Sequence, residues 1–314
     1  MPSNKCCNFI IGSSGTIGER LKNYLINNNE TVFTLARKAD LNFSKNHFKG
    51  DLLDKKFILN VSNQLTSEFD QINIFYLAGV SSVEESFNKI GKRFSESVQC
   101  YCNTLDSFIN TNSKIVFTSS GSVYDTKNKQ LFRENDTLNP VSPYSTIKLA
   151  CEKLSSIYSE VYGLDIRVAR IFSVYGESVK KLFIYDCINK IINSNKSITL
   201  KGNGLQERDY LYLDDVVSGL QTIIKKGETN EIYNLSSGKS TKIATVVNQI
   251  KKSLGMNNIK INWSNNDTIG ESEKWYGDNS KIKKIGFSEK VVFENQLHIT
   301  TKKIFEDLNE YKNK

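Results

Sequence analysis

Three side chains near the middle of the chain have the types and spacing for proton transfer at a carbon-bound oxygen: Ser120, Tyr144 and Lys148. A phenol titrates at about pH 10 and is a poor base near neutrality, but an adjacent ammonium favours its anion and lowers that value. Lys148 follows Tyr144 by four residues, so on a helix both stand on one face. Tyr144 could then exchange a proton with a sugar or alcohol oxygen to which Ser120 donates a hydrogen bond. The same residues also have an ordinary reading: a half-buried aromatic, a solvated helix lysine and a serine loop.

The flanking elements decide whether these groups meet. Lys114–Phe117 is a short β-prone run, and Thr118, Ser119, Ser120, Gly121 and Ser122 place small polar groups at its carboxyl end, where open α/β sheets bind ligands. Ser142 is placed as a helix cap and Pro143 at the first helical position, where a missing N–H costs nothing. The spacing therefore predicts a helix carrying Tyr144 and Lys148.

A cofactor floor is predicted upstream. The apolar run Cys7–Ile11 is followed by Gly12, Gly15 and Gly18, ahead of a helix over Thr16–Asn27. The first glycine permits a tight turn, the second lets backbone approach a pyrophosphate, and the third lets helix pack on strand. Gly12, Gly15, Thr16, Ile17 and Gly18 would hold the phosphates at the helix N-terminus; the alternative is a plain helix start. After a strand at Val32–Leu35, the place of an acidic ribose ligand is taken by Ala36-Arg37, and Arg37 suits the 2′-phosphate of NADP or is simply solvated. Asp51 and Leu52 fit the adenine side, with Asp51 equally readable as a helix cap. The strand Ile72–Leu77 ends in Ala78-Gly79, which leave room for a flat ligand, and Phe94–Ile109 predicts a covering helix.

Downstream, strands are expected at Asp165–Ala169, Ser197–Leu200, Glu231–Leu235 and Ile259–Trp263, with helices at Lys180–Asn193, Leu213–Ile224 and Lys242–Leu254. The glycine turn from Gly202 closes on Arg208 and Asp209, where Arg208 either grips a diphosphate or pairs with Asp209. From Thr268 the tail turns polar, with Trp275-Tyr276 expected in a loop and Asn279–Ile285 as a basic turn or helix. The architecture predicted is α/β: a Rossmann-type doubly wound parallel sheet with a smaller C-terminal substrate-binding lobe. Residues 1–175 form the NAD(P)-binding part and 176–314 the lobe, with about 210–235 returning to the sheet.

Composition narrows the function. The net charge of +8 is spread over 42 Lys and Arg rather than gathered in one arm, without the basic helix or aromatic platform of a nucleic-acid binder. No apolar run reaches 18 residues, and Met1–Cys7 lacks a signal-peptide core, so a cytoplasmic protein without a membrane span is expected. Six cysteines without CxxC spacing and only two histidines, His47 and His298, argue against zinc or a histidine triad; no metal is expected, and the thiols read as reduced and mostly buried.

Taken together, these segments resemble the extended short-chain dehydrogenase/reductases, specifically the nucleotide-sugar epimerase/dehydratase group. The resemblance covers nearly the whole chain. It rests on Gly12-Ser13-Ser14-Gly15-Thr16-Ile17-Gly18, Gly50-Asp51-Leu52, Leu77-Ala78-Gly79, Ser119 through Tyr124, Pro143-Tyr144 through Lys148 to Glu152, Gly202 through Tyr210 with Leu213-Asp214-Asp215, and Asn279–Phe287.

It implies that Tyr144 is the acid/base, that Lys148 fixes the nicotinamide ribose and lowers the Tyr144 pKa, and that Ser120 orients the C4 oxygen of a sugar on a nucleoside diphosphate. Leu77, Ala78 and Gly79 would underlie NADP or NAD. Ser122, Ser173 and Arg208 would contact the substrate, and the 94–110 and 143–162 helices would pair in a homodimer. Dehydratases of this group carry an acid pair where Gly121 and Ser122 stand here. That absence and Ala36-Arg37 favour an NADPH-dependent 4-ketoreductase. The alternative is a UDP-glucose 4-epimerase-like enzyme with bound NAD, which Leu77–Ser86 and Gly202–Asp215 resemble.

Overall fold

The computed structural model describes residues 5–38, 44–80, 82–125, 131–264 and 274–312. The polar stretch 268–273 read from the sequence lies outside them. The chain opens with β1 (Cys6–Ile11), α1 (Thr16–Asn27), β2 (Val32–Ala36), β3 (His47–Lys49), α2 (Lys55–Glu68), β4 (Gln71–Tyr76), the single turn α3 (Val83–Ser86), α4 (Ile90–Ser107) and β5 (Ser113–Ser120). It continues through β6 (Leu131–Phe132), α5 (Pro143–Tyr162), β7 (Asp165–Ile171), β8 (Ser173–Tyr175), α6 (Leu182–Ile192), β9 (Ser197–Leu200), β10 (Glu207–Arg208), β11 (Tyr210–Tyr212) and α7 (Leu213–Lys226). It closes with β12 (Ile232–Leu235), β13 (Thr241–Lys242), α8 (Ile243–Leu254), β14 (Lys260–Trp263), β15 (Lys274–Gly277), α9 (Ser280–Lys284) and α10 (Phe293–Lys312).

Seven strands form one sheet in the order β12-β7-β5-β4-β1-β2-β3, and every pairing in it is parallel. Parallel strands covered on both faces read as largely apolar runs, as in Ile115–Phe117, and in Cys7–Ile11 and Ile72–Tyr76, where the buried Asn8 and Asn73 hydrogen-bond each other. One face packs on α2, α4 and α5 around Phe9, Ile74, Tyr101 and Phe117; the other packs on α1 and α7 around Ile10, Phe75, Val116 and Leu220. The strand order reverses beside β1, so the carboxyl ends of β1 and β4 open a crevice there. A third apolar cluster, built from α6, α8, α10, β9 and β14, lies around Ile188, Val246, Ile250 and Leu297.

Local sequence sets the helix that matters most. The Ser142 hydroxyl accepts from Ser145 N and the Ser145 hydroxyl from Ser142 N, a reciprocal cap, with Pro143 in the first turn and Gly163 at φ 69° ending the helix. Two expectations need correction. The segment Trp275-Tyr276 is strand rather than loop, because β15 is held between β10 and β6. Asp51 does not cap the helix that follows it: the cap of α2 is Asp54, which accepts from Phe57 N at 3.0 Å.

Candidate active site

Ser120 is the last residue of β5, because Ser119 and Ser120 still pair with Arg170 and Ile171 of β7. It also caps the turn Gly121–Val123: its Oγ accepts from Ser122 N at 3.2 Å and from the Ser122 hydroxyl at 3.0 Å. Tyr144, from α5, approaches the Ser120 side chain, whose hydroxyl favours the phenolate. Lys148, one turn further along, is buried and donates from Nζ to Thr118 O at 2.7 Å. That ammonium lies 5.8 Å from the Tyr144 ring centre and 5.2 Å from that of Phe117. The three residues named from the sequence therefore meet at the carboxyl end of β5.

Their electrostatics differ from the expectation. Burial holds the Tyr144 phenol above its ordinary range, opposed only by the nearby Ser120 hydroxyl. Burial also pushes Lys148 down to about 8, with Cys151 and Glu152 pulling the other way. In this chain, removal from water sets the direction for both groups. The Ser120 contact, rather than Lys148, is what favours the phenolate.

The predicted cofactor residues line the crevice. Gly12 has φ +92°, and a Cβ there would lie 2.7 Å from Ala78 N, so only glycine lets β1 turn this close to β4. A Cβ on Gly18 would meet Gly12 O at 2.4 Å, which fixes how closely α1 approaches the turn. Gly15 is the N-cap of α1 without a side-chain cap, leaving the N–H groups at Thr16 and Ile17 for an anion. Gly79, at φ +136° with no atom within 4 Å of a built Cβ, leaves open space at the end of β4. Ala78, Gly79, Ser97, Tyr144, Lys148 and Cys151 line one small hollow. This glycine cradle, uncapped helix and open strand end fit a dinucleotide.

Arg37 is exposed just beyond β2. Asp51 is exposed as well, and its Oδ1 accepts from Leu53 N at 3.0 Å, which shapes the turn ahead of α2. Leu52 is buried, and its carbonyl accepts from Asn103 Nδ2 of α4 at 2.8 Å, a support not read from the sequence. Leu77 N donates to Ile11 O at 2.9 Å, which joins the ends of β1 and β4.

The substrate side gathers differently. Ser173 N donates to Asp209 O at 3.0 Å as β8 pairs with β11. Asp209 is fully buried and accepts from Ser237 N, the Ser237 hydroxyl, Gly238 N and Gly277 N, so its carboxylate fastens β11, the 236–238 turn and β15. Burial pushes it up to about 6 in spite of those donors. Arg208 is half-buried and faces Trp275 across the β10–β15 pairing. The Trp275 indole in turn donates to Gly121 O at 3.2 Å and packs on Phe172 at 5.0 Å between ring centres. Trp275, expected in a loop, and Phe172, without a signal in the pattern, thus connect Arg208 to the Ser120 turn.

Behind the site, Arg170 makes two hydrogen bonds to Glu152, at 2.7 and 3.0 Å, bonds Glu134 O at 2.9 Å and lies 4.7 Å from the Tyr124 ring centre. Both charges are buried, and they tie α5 to β7 and to the segment after Ser120.

Residues 8–236 match the model of the NAD dependent epimerase/dehydratase family. The chain belongs to that family. It is 27% identical over 289 residues to an uncharacterised UDP-glucose epimerase of Bacillus subtilis, a match covering 88% of this chain and 90% of that one. Among solved structures it is similar to the UDP-glucose 4-epimerase of Thermotoga maritima with UDP-glucose, at 22% identity and a TM-score of 0.85 over 96% of this chain and 99% of that one. It is similar also to the dTDP-glucose 4,6-dehydratase DesIV of Streptomyces venezuelae with NAD and TYD bound, at 21% identity and a TM-score of 0.83 over 96% and 98% of the two chains. The fold is that of this NAD-dependent family. Its epimerases and dehydratases share one architecture, so the reaction has to be argued from the side chains.

Proposed function

We propose that this member of the epimerase/dehydratase family is an NAD(P)H-dependent reductase of a nucleoside-diphosphate 4-keto-6-deoxyhexose, working at C4. When bound, the nicotinamide supplies the hydride. The chain's own task is the proton: Tyr144 gives it to the C4 oxygen, and Ser120 donates a hydrogen bond to the same oxygen as charge develops there. Burial keeps the Tyr144 phenol protonated near neutrality, which suits an acid in the reductive direction. Lys148 would hold the nicotinamide ribose, and Gly12, Gly15, Thr16, Ile17 and Gly18 the pyrophosphate. Arg208 would hold the substrate diphosphate, with Ser173 beside it.

The observation that carries this reading is at Gly121. A Cβ there would lie 2.8 Å from Phe172 Cζ and 2.9 Å from Trp275 Cζ2, so aromatic rings fill the place into which an acid at this position would project. That disfavours elimination of water and leaves hydride chemistry at C4. Arg37 at the end of β2 supports NADP, whose 2′-phosphate a guanidinium holds well. The second reading, a 4-epimerase with retained NAD, is supported by the likeness to UDP-glucose epimerases along the full chain.

Apolar side chains exposed on α4 (Ile90, Phe94) and α5 (Ile157, Val161) support a homodimer through those helices. The deciding experiment supplies the purified enzyme with NADPH and dTDP-4-keto-6-deoxyglucose, and separately with UDP-galactose and no added cofactor. Oxidation of NADPH supports the reductase. Conversion of UDP-galactose alone overturns it in favour of the epimerase.

A further inference from the structure

We propose that Ser122 is a positioning residue that fixes the direction of the Ser120 hydroxyl proton, so that Ser120 acts only as a donor toward the Tyr144 oxygen and the sugar oxygen beside it. The inference rests on the proposed roles of Ser120 and Tyr144, and it replaces the sequence-based expectation that Ser122 contacts substrate.

A serine hydroxyl has one proton and two lone pairs. Both lone pairs of Ser120 are engaged from one side: Ser122 N–H reaches its Oγ at 3.2 Å, and the Ser122 O–H reaches it at 3.0 Å. The turn Gly121–Val123 holds both donors in place, with Ser120 as its cap at φ −143°, ψ 145°. The remaining proton is left to point away from Ser122, toward the neighbouring Tyr144 hydroxyl, whose anion the Ser120 side chain favours. A donor aimed at that oxygen stabilises the phenolate that remains once Tyr144 has given up its proton. Without the Ser122 hydroxyl, one lone pair of Ser120 is free to accept from the phenol, the bond reverses, and the neutral phenol is favoured instead.

The test compares Ser122→Ala and Ser122→Thr with the unaltered enzyme, each with NADPH and dTDP-4-keto-6-deoxyglucose and with UDP-galactose and NAD. Thermal stability and NAD binding serve as controls on folding. The expected result for Ser122→Ala is a kcat lower by roughly fivefold to tenfold, as for loss of one hydrogen bond, with KM within twofold. The limb of the kcat pH profile that belongs to Tyr144 moves to higher pH, by about half a unit or more. Ser122→Thr restores both.

A raised KM with kcat retained would mean that Ser122 touches the substrate and would overturn the proposal, as would a threonine variant as impaired as alanine. Tyr144→Phe and Ser120→Ala, measured alongside, separate two kinds of failure. If both lose turnover while Ser122→Ala behaves as the unaltered enzyme, only the role of Ser122 falls. If both keep turnover, the assignment of the site itself falls.

Discussion

The indole N–H of Trp275 donates to the carbonyl of Gly121 at 3.2 Å, across 154 positions of sequence. A residue of the C-terminal segment therefore sits against the turn that presents Ser120. Because Phe172 and Trp275 crowd Gly121, Gly121→Asp is expected to disturb the turn rather than to install an acid for dehydration. Overpacking of this kind costs about 1–3 kcal/mol. Denaturant unfolding should register that loss, and product analysis with dTDP-glucose should find no 4-keto-6-deoxy sugar. A stable Gly121→Asp variant with dehydratase activity would refute the crowding argument.

Arg170 and Glu152 form a buried pair, and breaking it from one side leaves a charge stranded. Arg170→Met should destabilise the fold by about 3–5 kcal/mol, while Arg170→Met with Glu152→Leu should recover a large part of that loss. Urea titrations of the two variants measure the difference. Equal losses would show that the charge itself is not what matters.

Much of this arrangement is legible in the residues. The helix Thr16–Asn27 is preceded by glycines whose turn can be read locally, and α5 carries its own start in Ser142 and Pro143. What escapes is held by distant backbone. Strand β15 is four residues long and has no periodicity of its own; it exists because Glu207–Arg208 and Leu131–Phe132 flank it. Asp209 reads as a partner for Arg208, yet its carboxylate is held by Ser237, Gly238 and Gly277, groups 28, 29 and 68 positions away. The pattern ends β5 at Phe117 because serines carry no strand signal, although Ser119 and Ser120 complete the pairing with β7. The failed expectation of an acidified Tyr144 has a different origin: spacing fixes which groups are neighbours and does not report how far both are removed from water.

Lys148 gives a stability prediction whose sign follows from burial. Its folded value is about 8 against 10.5 in its ordinary state, so between those values the unfolded chain binds more protons and stability rises with pH. Below pH 8 the buried charge is at its most costly. Lys148→Met should therefore stabilise the fold at pH 7 by about 1–3 kcal/mol, after allowance for the lost bond to Thr118 O, with the gain shrinking as pH rises from 8 to 10.5. Urea titrations at pH 7, 8 and 9.5 check the trend. A variant less stable at pH 7 would contradict it.

On α5, Ile157 and Val161 lie four residues apart and are 50% and 66% exposed. If this stripe meets its copy in a dimer, replacing both with arginine buries charge at the interface. Light scattering should then find the unaltered chain as a dimer and the double variant as a monomer with unchanged helix content. A double variant that remains dimeric would place the interface elsewhere.

The proton donor is tested most directly by Tyr144→Phe, which removes one oxygen and keeps the ring. NADPH oxidation in the presence of dTDP-4-keto-6-deoxyglucose should fall at least a hundredfold, with cofactor affinity unchanged within threefold. Turnover by Tyr144→Phe at the rate of the unaltered enzyme would contradict the account.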